Sequence, residues 1–393
     1  MRGLMRSGMF TPLLLIALLL ALSVAYVEHL HGNLHRLKQR IGNQRPETPS
    51  FQPGGQEPIV LTRSRLMGDS SPEFTSVTLL PGRGMNVLQI TAFVPGKGEI
   101  DLLDSRSIED ATSAMNGTGA DAGGAVSLSM GGAFEAPWAD RIASSTMWRG
   151  RQIAEASREG GWLLAAASTA TDVTALPDGG HADATFDLAK SGSRWPSKTQ
   201  IKISVLLSSK YIDLTMTARN VGDTAEPIGL GWRPRFAVAG DRSQMRLRLP
   251  AEMRIVMGEG SAPVGATVPV AGTPYDFRAR PGTSLGDRSL DETFTGFRQD
   301  LLESGPVTEL SFPTEDYGVR LTALTPAIKA MRVIMPAKGG YAVVAPRFNY
   351  PDPFGREWSK ADDAGMVTLQ PGESTEWKVR LEIFTPGYTT GAR

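Results

Sequence analysis

Along most of this chain, apolar residues recur at every second position. Ile201, Ile203, Val205 and Leu207 alternate with polar side chains, and after Ser208-Ser209-Lys210 the alternation resumes at Ile212, Leu214 and Met216. Successive side chains of a strand point to opposite faces, so this period predicts a β-hairpin with one buried face. Trp377, Val379, Leu381 and Ile383 predict a late strand entered through the turn Pro371-Gly372, and Met245, Leu247 and Leu249 predict another. No helical apolar stripe longer than about three turns follows Ile41, and no segment repeats at a fixed period. The pattern predicts an all-β body of large antiparallel sheets, either sandwich or barrel. The 43 glycines and 27 prolines punctuate it at the short intervals that many strands and turns require.

The N-terminal part follows different rules. Phe10 to Val27 (FTPLLLIALLLALSVAYV) is almost wholly apolar and is preceded by Arg2 and Arg6. Roughly 18 residues at a helical rise cover about 27 Å, just enough to span a hydrocarbon core. The same run reads as a signal peptide with Ser23-Val24-Ala25 as the small-x-small cleavage site. Residues 1–27 are therefore expected to be a signal anchor or a signal peptide. The first leaves the body tethered to a membrane on its periplasmic or extracellular side, and the second releases it as a secreted protein. Arg36, Lys38 and Arg40 nearly balance the positive charge before the span, so orientation is only weakly marked.

Just beyond the span, Val27, Leu30, Leu34, Leu37 and Ile41 step by three and four residues. That spacing gives a juxtamembrane helix one apolar seam, too short for a coiled coil but compatible with a weak homodimer. His29, His31 and His35 share this stretch and are read as a solvated face rather than a metal site. Arg45 to Pro58 (RPETPSFQPGGQEP) completes a segment, 28–58, of helix and linker. The folded domain is expected over 59–386, with a tail at 387–393.

Composition narrows the function classes. Lysines plus arginines equal aspartates plus glutamates, 41 each, which gives no electrostatic drive toward nucleic acid. There is no cysteine, so disulfides, thiolate nucleophiles and Cys-based zinc sites are excluded. Pro81-Gly82-Arg83-Gly84-Met85-Asn86 lacks the Lys-Ser/Thr ending of a phosphate loop, and no cofactor motif is found. His181 is the only histidine of the body, in the turn-like PDGGHAD, and is a poor basis for a Ser-His-Asp triad. No metal or cofactor is expected.

Five stretches taken in order resemble the aldose 1-epimerase family. They are the PGRGMN run just quoted, Gly131 to Ile142 (GGAFEAPWADRI), Gly229 to Phe236 (GLGWRPRF), Leu290 to Gly296 (LDETFTG) and Val343 to Trp358 (VVAPRFNYPDPFGREW). The resemblance covers about residues 59 to 386 and implies a galactose mutarotase-like supersandwich of large twisted antiparallel sheets. It also implies an open cleft for a monosaccharide. In that family a carboxylate takes the anomeric proton while a histidine protonates the ring oxygen. By position the carboxylate falls on Ala345 and the histidine on Arg233, and a second family histidine falls near Gly160-Gly161. A methyl group has no exchangeable proton, and a guanidinium keeps its own at neutral pH.

What the resemblance leaves is a binding surface. Arg141 and Asp291 hold positions that hydrogen-bond sugar hydroxyls in the family, and Asp140 replaces the usual asparagine beside them. Arg233 brings a cation, while Trp232 and Trp358 either offer a flat apolar face to a ring or pack in the core. The expectation is a carbohydrate-binding member without epimerase activity. Two alternatives are an active isomerase using Glu135, Asp291 or Glu357, and a structural subunit of an envelope polysaccharide complex. If Phe10–Val27 is an uncleaved anchor, the protein will stay in membranes through carbonate washing with Met1 at its N-terminus. A soluble form starting near Tyr26 would establish cleavage instead.

Overall fold

The hairpin expected over residues 201–216 is formed by Thr199–Leu207 and Tyr211–Asn220, paired antiparallel with Ile201 opposite Ala218 and Val205 opposite Leu214. Its alternating residues Ile201, Ile203, Val205, Leu207, Ile212, Leu214 and Met216 are all fully buried. The computed structural model describes residues 50–386 except 66–70, 117–123, 144–145, 154–157, 189–193, 259–261 and 362, together with Leu22, Ser23 and Tyr26. Among these the hairpin belongs to a nine-stranded antiparallel sheet, and an eleven-stranded antiparallel sheet accompanies it. The late strand, Ser374–Phe384, lies at the middle of the nine-stranded sheet, between Tyr211–Asn220 and Tyr317–Ala323.

One apolar cluster joins the two sheets. It contains Val87, Phe134, Trp232 and Val344 from the larger sheet and Ile203, Leu214, Trp377 and Leu381 from the smaller. Phe134 and Trp377 meet edge to face with centroids 6.3 Å apart, and the Trp377 indole donates to the Pro346 carbonyl at 3.3 Å. Sheets whose inner faces interlock in this way form a sandwich, one of the two arrangements that the alternation allows. The helix Ile108–Asn116 is short; Ser107 caps it, its hydroxyl accepting from the Asp110 amide at 3.1 Å.

Contacts divide the chain into Met1–Ser50 and Phe51–Arg393, so the compact body starts before the expected boundary at Ile59. Part of the stretch read as linker finds partners on the body. The Gly54 amide donates to Asn116 Oδ1 at 2.7 Å, and the Gln56 amide side chain donates to the Ser168 carbonyl at 2.9 Å. Gly54 adopts φ 71° against Gly82, whose oxygen would lie 2.0 Å from any added Cβ. The apolar run Phe10–Val27 and the heptads after it lie outside the described residues, apart from the exposed Leu22, Ser23 and Tyr26. Among the described residues no helix is long and apolar enough to cross a membrane.

One buried carboxyl lies away from the larger sheet. Glu226, on the small ladder Glu226–Ile228 with Val367–Leu369, is fully enclosed and accepts from the Thr199 hydroxyl at 2.6 Å. Burial pushes its pKa up to about 7. A raised carboxyl contributes stability while it is protonated in the folded state, and that contribution is lost as pH rises from the ordinary range, about 4.5, through about 7. Glu226→Gln should therefore match the parent near pH 5 and exceed it by about 2–3 kcal/mol above pH 8, read from urea unfolding at each pH. An equal difference at both ends would mean that the carboxyl is not buried as described.

Candidate functional site

Five adjacent strands of the larger sheet set the geometry: Gly132–Glu135, Gly231–Ala237, Tyr341–Arg347, Ala330–Met335 and Leu290–Phe297, in that spatial order. Directly opposed residues share a face. Arg233 opposes Ala133, and Arg332 opposes Ala345 on one side and Thr293 on the other. Because Gly231 opposes Arg347 and Arg235 opposes Val343, Arg233 also stands level with Ala345. One row across the sheet thus reads Arg233, Ala345, Arg332, on the face turned away from the core. The two positions that the resemblance assigned to proton transfer are neighbours, and the methyl group of Ala345 lies between two arginines.

A second row, two residues along, reads Glu135, Gly231, Arg347. Gly231 has no side chain, and its neighbours reach over it: Arg347 Nε lies 3.4 Å from Glu135 Oε2, both residues being fully buried. A Cβ at Gly231 would lie 2.8 Å from Ala139 Cβ, 3.1 Å from Arg347 Cγ and 3.2 Å from Glu135 Oε2. Asp140 sits above both rows with φ 65°, in the left-handed region. Its carboxylate accepts from Arg332 Nη1 at 2.6 Å and from Arg347 Nη1, so one carboxylate bridges the two rows.

The surrounding loops complete the site. Arg141–Ile142 pairs with Arg158–Glu159, which places Arg141 opposite Glu159, and Glu159 holds the guanidinium of Arg233. Asp352 accepts from the Ala143 amide at 3.2 Å, and its own amide donates to the Arg141 carbonyl at 3.1 Å. A cavity of about 130 Å³ opens between Asp140, Arg141, Glu159, Arg332 and Asp352, with Pro263 and Pro351 closing the rest. Asp291 reaches it through Arg332, whose Nε donates to Asp291 Oδ1 at 3.0 Å.

Of the expected site residues, Asp140 and Arg141 line this cavity, and Arg233 and Asp291 each stand one ion pair away. Trp232 does not. Alternation on its strand turns it to the opposite face from Arg233, into the core, where its indole donates to the Gly132 carbonyl at 3.1 Å. It packs the sandwich and cannot offer a face to a ring. Trp358 is partly exposed, does not line the cavity, and packs at a tilt against Tyr350 with centroids 5.4 Å apart. At Gly160 and Gly161 no histidine fits. Both have positive φ, and a Cβ on Gly161 would lie 2.0 Å from the Ala136 oxygen.

Residues 127–382 match the family model described as aldose 1-epimerase. The chain belongs to the aldose 1-epimerase family. A galactose mutarotase-like protein from Clostridium acetobutylicum has the same fold, with TM-score 0.67, 16% identity, and 83% of this chain covering 98% of that one. A putative aldose 1-epimerase from Escherichia coli K12 gives TM-score 0.60 at 16% identity, with coverage of 84% and 99%. Galactose 1-epimerase from Lactobacillus acidophilus gives TM-score 0.58 at 14% identity, with coverage of 84% and 99%. No curated protein matches the chain in sequence.

Sequence reasoning passed over Arg332, Arg347, Glu159 and Asp352. The first two carried a signal: each is a lone cation inside an otherwise apolar strand, AMRVIM and YAVVAPR. Lone charges in such strands are rarely buried without a partner. In this member of the aldose 1-epimerase family those partners fix the protonation states. Burial alone would raise the Asp140 carboxyl, but Arg347 and then Arg332 override it and hold it well below the usual range. Burial pushes the Glu135 carboxyl up, against the pull of Arg347, and burial also raises Asp352.

Arg347 should therefore be structurally indispensable. Arg347→Met strands Glu135 and Asp140 without their shared cation and should cost about 3–5 kcal/mol in urea unfolding. Asp140 stabilises the fold while ionised, a contribution present above the ordinary carboxylate range and lost as pH falls below it. The variant should accordingly lose part of the parent's acid sensitivity. Wild-type stability in Arg347→Met would show that the cluster does not hold the fold.

Proposed function

We propose that this chain is a carbohydrate-binding member of the aldose 1-epimerase family that does not epimerise, exported from the cytoplasm by its N-terminal segment. The observation that carries this reading is the row Arg233, Ala345, Arg332. Ring opening needs a base at the anomeric hydroxyl and an acid at the ring oxygen. At the two matching positions this chain has a methyl group and a guanidinium held by Glu159. That ion pair, together with Glu135, raises the pKa of Arg233 despite its burial, so it supplies no proton near neutral pH.

The same pairs suit the cavity to a neutral diol. Arg332 is shared between Asp140 and Asp291, and Arg233 is matched by Glu159, so fixed donors and acceptors alternate round the opening with little uncompensated charge. Arg141 and Asp352 offer a guanidinium and a carboxyl at the rim. A second reading, an isomerase with other proton carriers, has one observation in its favour. Asp352 lines the cavity and burial raises its pKa toward the range useful for acid–base work. Glu135 lies fully enclosed beneath the arginines, and Glu357 is not part of the cavity wall.

Polarimetry separates the two. Freshly dissolved α-glucose and α-galactose should mutarotate at the buffer rate in the presence of the protein. Each missing proton-transfer group forfeits roughly two to four orders of magnitude. Robust activity that disappears in Asp352→Asn would establish the isomerase instead. In the double variant Arg233→His plus Ala345→Glu, weak mutarotation should appear.

A further inference from the structure

A second recess adjoins the cleft, about 510 Å³ in volume against about 130 Å³ for the cleft itself. The larger value falls within the ordinary range for small-molecule sites and the smaller one below it. The two openings share a wall segment: Pro351 and Asp352 line the cleft, and the next residues, Pro353 and Phe354, line the recess. Its other wall is the hairpin of Met147–Trp148 with Arg151–Gln152, which follows Arg141 on the chain. Its surface combines three aromatic rings, Trp148, Phe354 and Trp358, with three cations, Arg149, Arg356 and Lys360. No carboxylate lines it, and none of these three cations forms an ion pair with a carboxylate among the described residues.

The rings are held in place. Phe354 rests edge-on against Trp195 at 6.3 Å, and Trp195 packs with Trp138 and Trp162 in a separate apolar cluster. The Trp358 indole donates to the Pro351 carbonyl at 3.3 Å. At the hairpin tip Arg149 takes φ 49° and Gly150 φ 78°, a turn with both central residues left-handed. Asparagine or aspartate before glycine is the usual choice for such a turn, and an arginine pays strain to be there. Its guanidinium lies 4.4 Å from the Trp148 ring centroid.

We propose that this recess is a second subsite for a sugar unit carrying a carboxylate or another anionic substituent, so that the ligand is an acidic oligosaccharide running from the cleft across Pro351–Phe354. This rests on the carbohydrate-binding reading of the cleft. Aromatic faces stack on pyranose rings, while three cations with no ion-pair partner among the described residues select an anion that the charge-matched cleft does not. The ligand thus divides between a neutral unit inside and an acidic unit outside.

The test is a panel of immobilised oligosaccharides of matched length (neutral, uronate-containing, sulfated and phosphorylated) probed with the full chain, with soluble hits titrated calorimetrically. Acidic glycans of at least one class should bind about tenfold more tightly than the neutral ones, and raised salt should erase the difference. Arg149→Glu and Lys360→Glu, both exposed and each made separately, should remove that preference while Arg141→Ala weakens neutral and acidic ligands alike. The uronate, sulfate and phosphate arms identify the anion. Equal binding of neutral and acidic glycans, or unchanged preference in both reversal variants, would overturn the second subsite and leave the cleft standing. Failure of every glycan to bind would overturn both readings together.

Discussion

Arg347 is the side chain on which the functional face of this sandwich is built. It is fully buried, and a guanidinium out of water is tolerated only with anions within reach. Those anions come from two places in the chain. Glu135 stands across the vacant position of Gly231, and Asp140 arrives from a loop at the start of the site, its backbone in the left-handed region. Because Asp140 also holds Arg332, and Arg332 also holds Asp291, fixing one buried cation fixes the loop, two strands and the rim. Burying a charge is not cheap, so its worth here lies in position rather than in net stability.

The same cluster explains why the face tolerates arginine at 233 beside alanine at 345. A carboxylate at 345 would stand between Arg233 and Arg332, whose charges are already taken up by Glu159, Asp140 and Asp291. The acidic groups that hold these arginines stand on the loop and short ladder, at Asp140 and Glu159, and on the strand beyond Arg332, at Asp291. The row is polar and hydrogen-bonded at both ends, and at its centre stands a methyl group, which exchanges no proton.

The fold was largely legible in the sequence because a period of two survives wherever one face of a strand is buried. Ile201 to Met216 shows this, and so does the late strand around Trp377, Val379, Leu381 and Ile383. The family and two residues of the cavity, Asp140 and Arg141, were legible through short motifs. Of the two readings open to Trp232, core packing is the one realised, because a tryptophan beside a site residue on a strand necessarily faces the other way, an alternation visible in Gly-Trp-Arg-Pro-Arg-Phe. Glu159 was hidden for another reason. It sits on a two-residue strand whose pairing with Arg141–Ile142 leaves no periodic trace. The start of the body was also obscured, because Pro and Gly around residue 54 suit a docked turn as well as a linker.

The recess beside the cleft differs from the cluster in what it owes to the fold. Its two arginines, its lysine and the tip of its hairpin stand at the surface, and among the described residues no buried ion pair depends on them. Relatives descended from a common ancestor could therefore exchange these residues freely while Glu135, Gly231 and Arg347 stay fixed. Diversification of ligands would then proceed by rewriting one exposed hairpin and one loop, with the protein remaining foldable at every step.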